Sequence, residues 1–230
     1  MKIGGFQKTS LLDYPDRISA IVWTSGCNFR CPFCYNTALA LGTGNVFPEE
    51  EILSFLSKRK GLVEGVVITG GEPLMQEDLA VFIKKVKDLG FLVKVDTNGA
   101  SPERLKELLE NHLVDYVAMD VKAPKDKYPK LAGVAVDVSQ IDASIDLIKQ
   151  KAPLYEFRTT FVPTLLTKED IVEIAKWLKG AETYYLQQFK QMTPVLSKVL
   201  DQVIPYPREY FLETLAQIQP FFKHCSVRGI

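Results

Sequence analysis

Residues 65–99 read GVVITGGEPLMQEDLAVFIKKVKDLGFLVKVDTNG. The apolar runs at 65–69 and 91–96 suit buried strands, and the stretch between them, 76–89, carries apolar residues at helical spacing. A strand–helix–strand unit of this length crosses over right-handedly and lays its strands parallel. The alternation continues outward in both directions. Further strand-like runs fall at 18–24, 114–120, 155–162 and 183–188, with amphipathic stretches at 48–60, 102–113, 138–151 and 168–179. Pro48 with the acidic Glu49, Glu50 and Glu51, and Ser101-Pro102-Glu103 ahead of Leu105, Leu108 and Leu109, supply helix starts.

Six strands with helices between them predict an α/β fold, a partial, open (β/α)6 TIM-type barrel of parallel strands, two units short of the eight that close such a barrel. Residues 124–137 read as a long loop, and 194–207 as an irregular stretch before a final helix. No repeat or linker divides the 230 residues, so 1–230 reads as one domain. Trp23 and Trp177 sit in apolar patterns and are expected in the core. The 28 basic residues balance 28 acidic ones, which leaves no net field to attract nucleic acid. The opening MKIGGFQKTS lacks a signal-peptide core, and no run approaches the roughly 18 apolar residues of a membrane span, so a soluble cytoplasmic protein is expected.

The unusual residues fall at strand ends. Cys27 follows the first run, Gly70-Gly71-Glu72-Pro73 the second, Asp96-Thr97-Asn98-Gly99 the third, and Asp120-Val121-Lys122 closes the fourth. In parallel sheets the loops leaving that edge converge on one mouth, which argues for one composite site. Three of the four cysteines, Cys27, Cys31 and Cys34, crowd into GCNFRCPFC, a pattern that suits metal ligation in a reducing compartment. The short loop is expected to turn three thiolates toward a single point. Structural zinc takes four protein ligands, and Cys225, His112 and His224 are all distant in sequence and read as structural or surface residues. Thiolates hold [4Fe-4S] cubanes, and three of them leave one iron open to a small molecule.

The cysteine spacing followed by TGGEPL resembles the radical S-adenosylmethionine (SAM) superfamily. That resemblance implies a [4Fe-4S] cluster on Cys27, Cys31 and Cys34, with S-adenosyl-L-methionine chelated to the open iron and reductively cleaved. It implies that Glu72 and the adjacent Gly70, Gly71 and Pro73 hold the cofactor's amino group, and that Phe33 packs beside its adenine, with ordinary core packing as the alternative for Phe33. Asn36 resembles a cofactor-contacting asparagine; it could equally cap the helix that follows. DTNG and D-x-K resemble the activating enzymes of glycyl radical enzymes, in which Asp96, Thr97, Asn98, Asp120 and Lys122 would surround the methionine end and ribose. The same resemblance implies a monovalent cation held by Asp96, Thr97 and Asp120.

Residues two apart on a strand share a face, so Asp120 and Lys122 could both enter the mouth; a surface ion pair is the plainer reading. Arg158 in YEFRTTFVP matches a basic position able to reach the cofactor carboxylate, with an ion pair as its alternative. Lys190 or the neighbouring glutamines of LQQFK stand where related activators carry a histidine.

The N-terminal GFQKTSLLDYPDRISAIVWTSGCNFRCPFCYN resembles activating proteins of anaerobic ribonucleoside-triphosphate reductase. This implies a radical SAM oxidoreductase that generates a glycyl radical on that reductase, with an electron donor such as flavodoxin or ferredoxin. The alternatives are a radical enzyme acting on a small metabolite, an activase of another glycyl radical enzyme such as pyruvate formate-lyase, and a non-enzymatic electron-transfer or zinc-binding module.

Overall fold

The computed structural model describes residues 1–190 and 195–230. The apolar runs become β2 (Ser19–Thr24), β3 (Gly65–Gly70), β4 (Leu92–Thr97), β5 (Tyr116–Asp120), β6 (Tyr155–Phe161) and β7 (Thr183–Gln188), all parallel. Two further strands correct the expected count of six to an eight-stranded sheet. β1 (Ile3–Ser10) pairs antiparallel with β2, and β8 (His224–Arg228) pairs parallel with β7. Both are edge strands, half-exposed, and neither carries the continuous apolar run that marks a strand buried on two faces. β1 and β8 each have one neighbour, so the barrel is open between them.

The helices are α1 (Thr37–Leu41), α2 (Glu49–Ser57), α3 (Leu79–Asp88), α4 (Pro102–Glu110), α5 (Tyr128–Ala132), α6 (Val138–Lys151), α7 (Lys168–Trp177) and α8 (Arg208–Ile218). Each long one turns an apolar stripe inward, as Leu79, Phe82, Ile83 and Val86 do from α3. A capping box between Thr167 and Asp170 starts α7. Residues 124–137 are no simple loop: they hold a one-turn 3-10 helix, Lys125–Lys127, and α5, whose Tyr128 is fully buried. Pro194 lies outside the described residues, and the remainder of 194–207 holds one further 3-10 turn, Lys198–Leu200. Trp23 and Trp177 are half-buried; the Trp177 indole donates to Asp142 at 2.6 Å while its ring meets Tyr128 edge-on.

Alternation along the strands separates two environments. Val66, Ile68, Val93, Val95, Val117, Met119 and Phe157 are fully buried in the main core with the helices' apolar faces. The intervening positions face the barrel interior. At its N-terminal end Ile21, Val67, Tyr116 and Ala118 pack around Tyr14, which the β1–β2 connection tucks inward, closing the floor with apolar groups. Above that floor the inward residues turn polar and charged: Lys94, Asp96, Asp120, Glu156 and Arg158. No helix among the described residues is long and apolar enough to cross a membrane.

Candidate active site

At the C-terminal strand edge a cavity of about 490 Å³ gathers residues from five parallel strands and from the cysteine loop, a size typical of small-molecule sites. Among the sequence candidates, Cys27, Cys31, Cys34, Phe33, Asn36, Gly70, Gly71, Glu72, Asp96, Thr97, Asn98, Asp120, Lys122, Arg158 and Lys190 all line it. Pro73 does not; it is buried at the start of the 3-10 turn Pro73–Met75.

The cysteine loop lacks regular structure, and its backbone is held from outside. Gly26 and Cys27 donate to Leu39 and Ala40 carbonyls at 2.7 and 3.2 Å, Arg30 donates to Ala132 at 2.7 Å, and the Pro32 carbonyl accepts from Ser197 at 2.9 Å. The stretch expected to be loop, around α5, is thus a brace for the ligand loop. Gly133 fits because an added Cβ would lie 2.1 Å from the Arg30 carbonyl oxygen. The three thiols share the cavity, and no three His, Cys, Asp or Glu among the described residues are grouped at one point to hold a single metal ion. A cubane binds each thiolate to a different iron and asks for no such point. Burial pushes the Cys27 thiol up to about 11 and raises that of Cys31 as well, so ligation must displace protons.

The two glycines of GGEP serve the loop as much as any ligand. Gly70 adopts φ +112°, and a Cβ on Gly71 would fall 2.0 Å from the Gly26 carbonyl oxygen, so only glycine lets these backbones approach. The Glu72 carboxylate, 1% exposed, accepts from Leu74 N at 3.1 Å, Thr97 Oγ1 at 2.7 Å and Asn98 N at 2.8 Å. Desolvation outweighs these hydrogen bonds and raises its pKa to about 7. Among the described residues no cation lies within ion-pair distance of it. A buried carboxylate ringed by donors and without a counter-ion suits an ammonium ligand. Gln188 Oε1, also on the cavity-lining β7, is buried with no hydrogen-bond partner among the described residues, while its amide nitrogen donates to the Tyr206 carbonyl at 2.8 Å.

The raised Glu72 pKa has a consequence for stability. The folded cofactor-free protein binds a proton there that the unfolded chain releases above about 4.5, so stability falls as pH rises from about 4.5 to 7. The cost is about 3 kcal/mol. Denaturation of the cofactor-free protein at pH 5 and pH 7.5 should show this loss, and Glu72→Gln should lack it; parallel pH profiles for the two proteins would refute the assignment.

Deeper in, the charges pair across strands. Arg158 directs Nε to Asp120 Oδ1 at 2.8 Å and NH1 to Asp96 Oδ2 at 3.2 Å, and Lys122 reaches Asp120 Oδ2 at 3.0 Å. These are ion pairs, as the plainer readings had it, but they stand inside the cavity rather than on the surface. Despite burial, Arg158 and its lysine neighbours hold both carboxyls below their usual range. Asn98 donates its amide to Asn28 Oδ1 at 2.8 Å, tying DTNG to the cysteine loop. Asn36 sits at the N-cap of α1 without a side-chain capping bond, exposed at the cavity rim beside Tyr35, whose hydroxyl accepts from Lys190 N at 2.5 Å. Phe33 is buried in the wall. Sequence reasoning passed over Asp13, which the β1–β2 connection brings to the cavity, and Lys94, whose signal was a charge inside an apolar run on the same face as Asp96.

A sequence model described as the Radical SAM superfamily matches residues 21–179. A Methanocaldococcus jannaschii protein carrying the name glycyl-radical enzyme activating enzyme MJ1227 is 37% identical over 99% of this chain and 96% of its own length. The pyruvate formate-lyase-activating enzyme of Listeria monocytogenes is 27% identical over 82% of this chain and 75% of its own. Among solved structures, Streptococcus suis SuiB bound to its precursor peptide SuiA superposes with a TM-score of 0.69 at 16% identity, covering 91% of this chain and 48% of that one.

Proposed function

Since the chain belongs to the radical SAM superfamily, we propose that it is the activating enzyme of an anaerobic ribonucleoside-triphosphate reductase, acting on a glycine of that protein. When bound, the [4Fe-4S] cluster and S-adenosylmethionine supply one-electron cleavage and the hydrogen-abstracting radical that follows from it. Cys27, Cys31 and Cys34 hold three irons. Glu72 takes the cofactor's ammonium, supported by its burial without a counter-ion. Lys122 and Arg158 face its carboxylate, with Asp96, Thr97 and Asn98 fixing the surrounding frame through their bonds to Glu72, Arg158 and Asn28. Phe33 and Asn36 would flank the adenine side, and on β7 the Gln188 acceptor, without a hydrogen-bond partner among the described residues, is a better contact than Lys190, whose backbone is already tied to Tyr35.

The observation that carries the reading is that all these groups line one cavity whose rim, at Tyr35, Asn36 and Lys190, is exposed. A partner's loop can enter there. Glycine is the residue for such a target: without a side chain it can adopt the conformation needed to reach a recessed centre, and its Cα radical can stay planar. The near-full-length likeness to a glycyl-radical activating enzyme supports the class. Tyr35 in Cys34-Tyr35-Asn36 supports the reductase over pyruvate formate-lyase. Residues 1–230 act as one domain, in the cytoplasm, reduced by a flavodoxin or ferredoxin.

The test is anaerobic. Reduced protein, S-adenosylmethionine and the reductase from the same cell should give a glycyl doublet in electron paramagnetic resonance that vanishes when the target glycine becomes alanine. Cofactor cleavage without a protein radical on any glycyl radical enzyme of that cell would favour a small-metabolite substrate instead.

A further inference from the structure

Lys94 is the one buried lysine among the described residues, 1% exposed inside the barrel. Its ammonium meets Asp96 Oδ1 at 2.5 Å and lies over the Tyr116 ring at 5.8 Å. With it, each oxygen of Asp96 and Asp120 has its own cationic partner. Asp96 takes Lys94 and Arg158; Asp120 takes Arg158 and Lys122. The third expected cation ligand, Thr97, donates its hydroxyl to Glu72 at 2.7 Å and accepts from Gly99 N at 3.1 Å.

Glu156 does not alter the balance. It stands 3.6 Å from Arg158, but both Arg228 terminal nitrogens bind it at 2.9 Å and Tyr116 donates to it at 3.0 Å. Lys94, Arg158, Lys122 and Arg228 thus pair with Asp96, Asp120 and Glu156, while Glu72, on the same cavity, has no cation within ion-pair distance among the described residues. A metal cation set against Asp96 and Asp120 would meet an ammonium or guanidinium nitrogen already on every carboxylate oxygen, and it would have to displace one of these cations or be repelled by it. The residues present therefore do not fit the monovalent cation that the sequence resemblance implied.

We propose that the Lys94 ammonium is the built-in cation of this site, so that the enzyme works without a sodium or potassium ion between Asp96, Thr97 and Asp120. Lys94 is a positioning residue: it takes one oxygen of Asp96 and leaves the other to Arg158, which also holds Asp120. Its attachment two residues before Asp96, on the same strand face, makes the ion permanent and independent of salt composition.

The experiment compares sodium, potassium and tetramethylammonium chlorides at fixed ionic strength, using the purified full chain. Melting curves of the wild type should overlay in all three, and S-adenosylmethionine cleavage by the cluster-loaded enzyme should agree within about twofold. Lys94→Met, of similar length but neutral, should melt about 6 °C or more lower in tetramethylammonium. It should regain much of that loss saturably in sodium or potassium, with cleavage recovering in parallel. A saturable alkali-cation effect on the wild type overturns the proposal, as does a folded Lys94→Met protein that melts alike in all three salts. Should that variant not fold, Lys94→Arg keeps the charge and must fold and stay indifferent to the cation, while the wild-type series decides on its own. The catalytic half rests on placing S-adenosylmethionine in this cavity and the melting half does not, so failure of that placement would abolish the cleavage pattern and leave the melting pattern intact.

Discussion

Cys27→Ala, Cys31→Ala and Cys34→Ala should each give protein that carries no reducible four-iron cluster and cleaves no S-adenosylmethionine, whereas Cys225→Ala keeps both. The cause is the ligand count. Three thiolates are the fewest that hold a cubane while one iron stays open, and every thiol of the cavity belongs to the 27–34 loop. Cys225 lies on β8 outside the cavity, where burial alone pushes its thiol up to about 12. Iron and sulfide analysis after anaerobic reconstitution, with about four irons per chain expected for the wild type, and spectra of the reduced protein decide the matter. A cluster that survives any one triad substitution, or that is lost with Cys225, would remove the open-iron basis of the mechanism.

Arg158→Met should destabilise the protein by about 3 kcal/mol at neutral pH and abolish activation. Arg158 is the bridge between β4 and β5, opposite Asp120 in the β5–β6 register and within reach of Asp96 one strand further on. Without it two partly buried carboxylates remain with one lysine each. The pH dependence follows from the sign of the shifts. In the wild type both carboxyls titrate below their ordinary value, so their contribution is present at and above pH 4 and disappears only in stronger acid. In the variant, burial raises them and protonation relieves the cost, so the gap between the two proteins should narrow as pH falls from 7.5 toward 4.5. Denaturant unfolding at those two pH values measures it. A neutral-pH difference under about 1 kcal/mol would mean that the network is weakly coupled.

Strand and helix placement was legible because β2 to β5 and β7 centre on short apolar runs, broken by Lys94 in β4, β6 alternates apolar and polar residues, and each long helix carries an apolar stripe, signals that depend only on neighbours in the chain. The cysteine triad, GGEP, DTNG and D-x-K were legible for a related reason: a parallel sheet delivers every strand end to the same edge, so motif position implies convergence. β1 escaped notice because an edge strand is half-solvated and needs no such run; IGGFQKTS has a glycine pair where Gly5 lies against Trp23. α5 escaped because Tyr128-Pro129-Lys130-Leu131-Ala132 is too short for periodicity, although its Ala132 carbonyl holds the cysteine loop.

By itself, then, the sequence determined the parallel α/β frame, the edge on which the site is built and the thiolate chemistry placed there, all consequences of local pattern and strand direction. Only the tertiary structure decided who partners whom. That Arg158 spans Asp96 and Asp120, and that Glu72 has no cation within ion-pair distance among the described residues, depend on register between strands up to 62 residues apart in the chain. They depend equally on how much water each charge loses, and local sequence pattern encodes neither quantity.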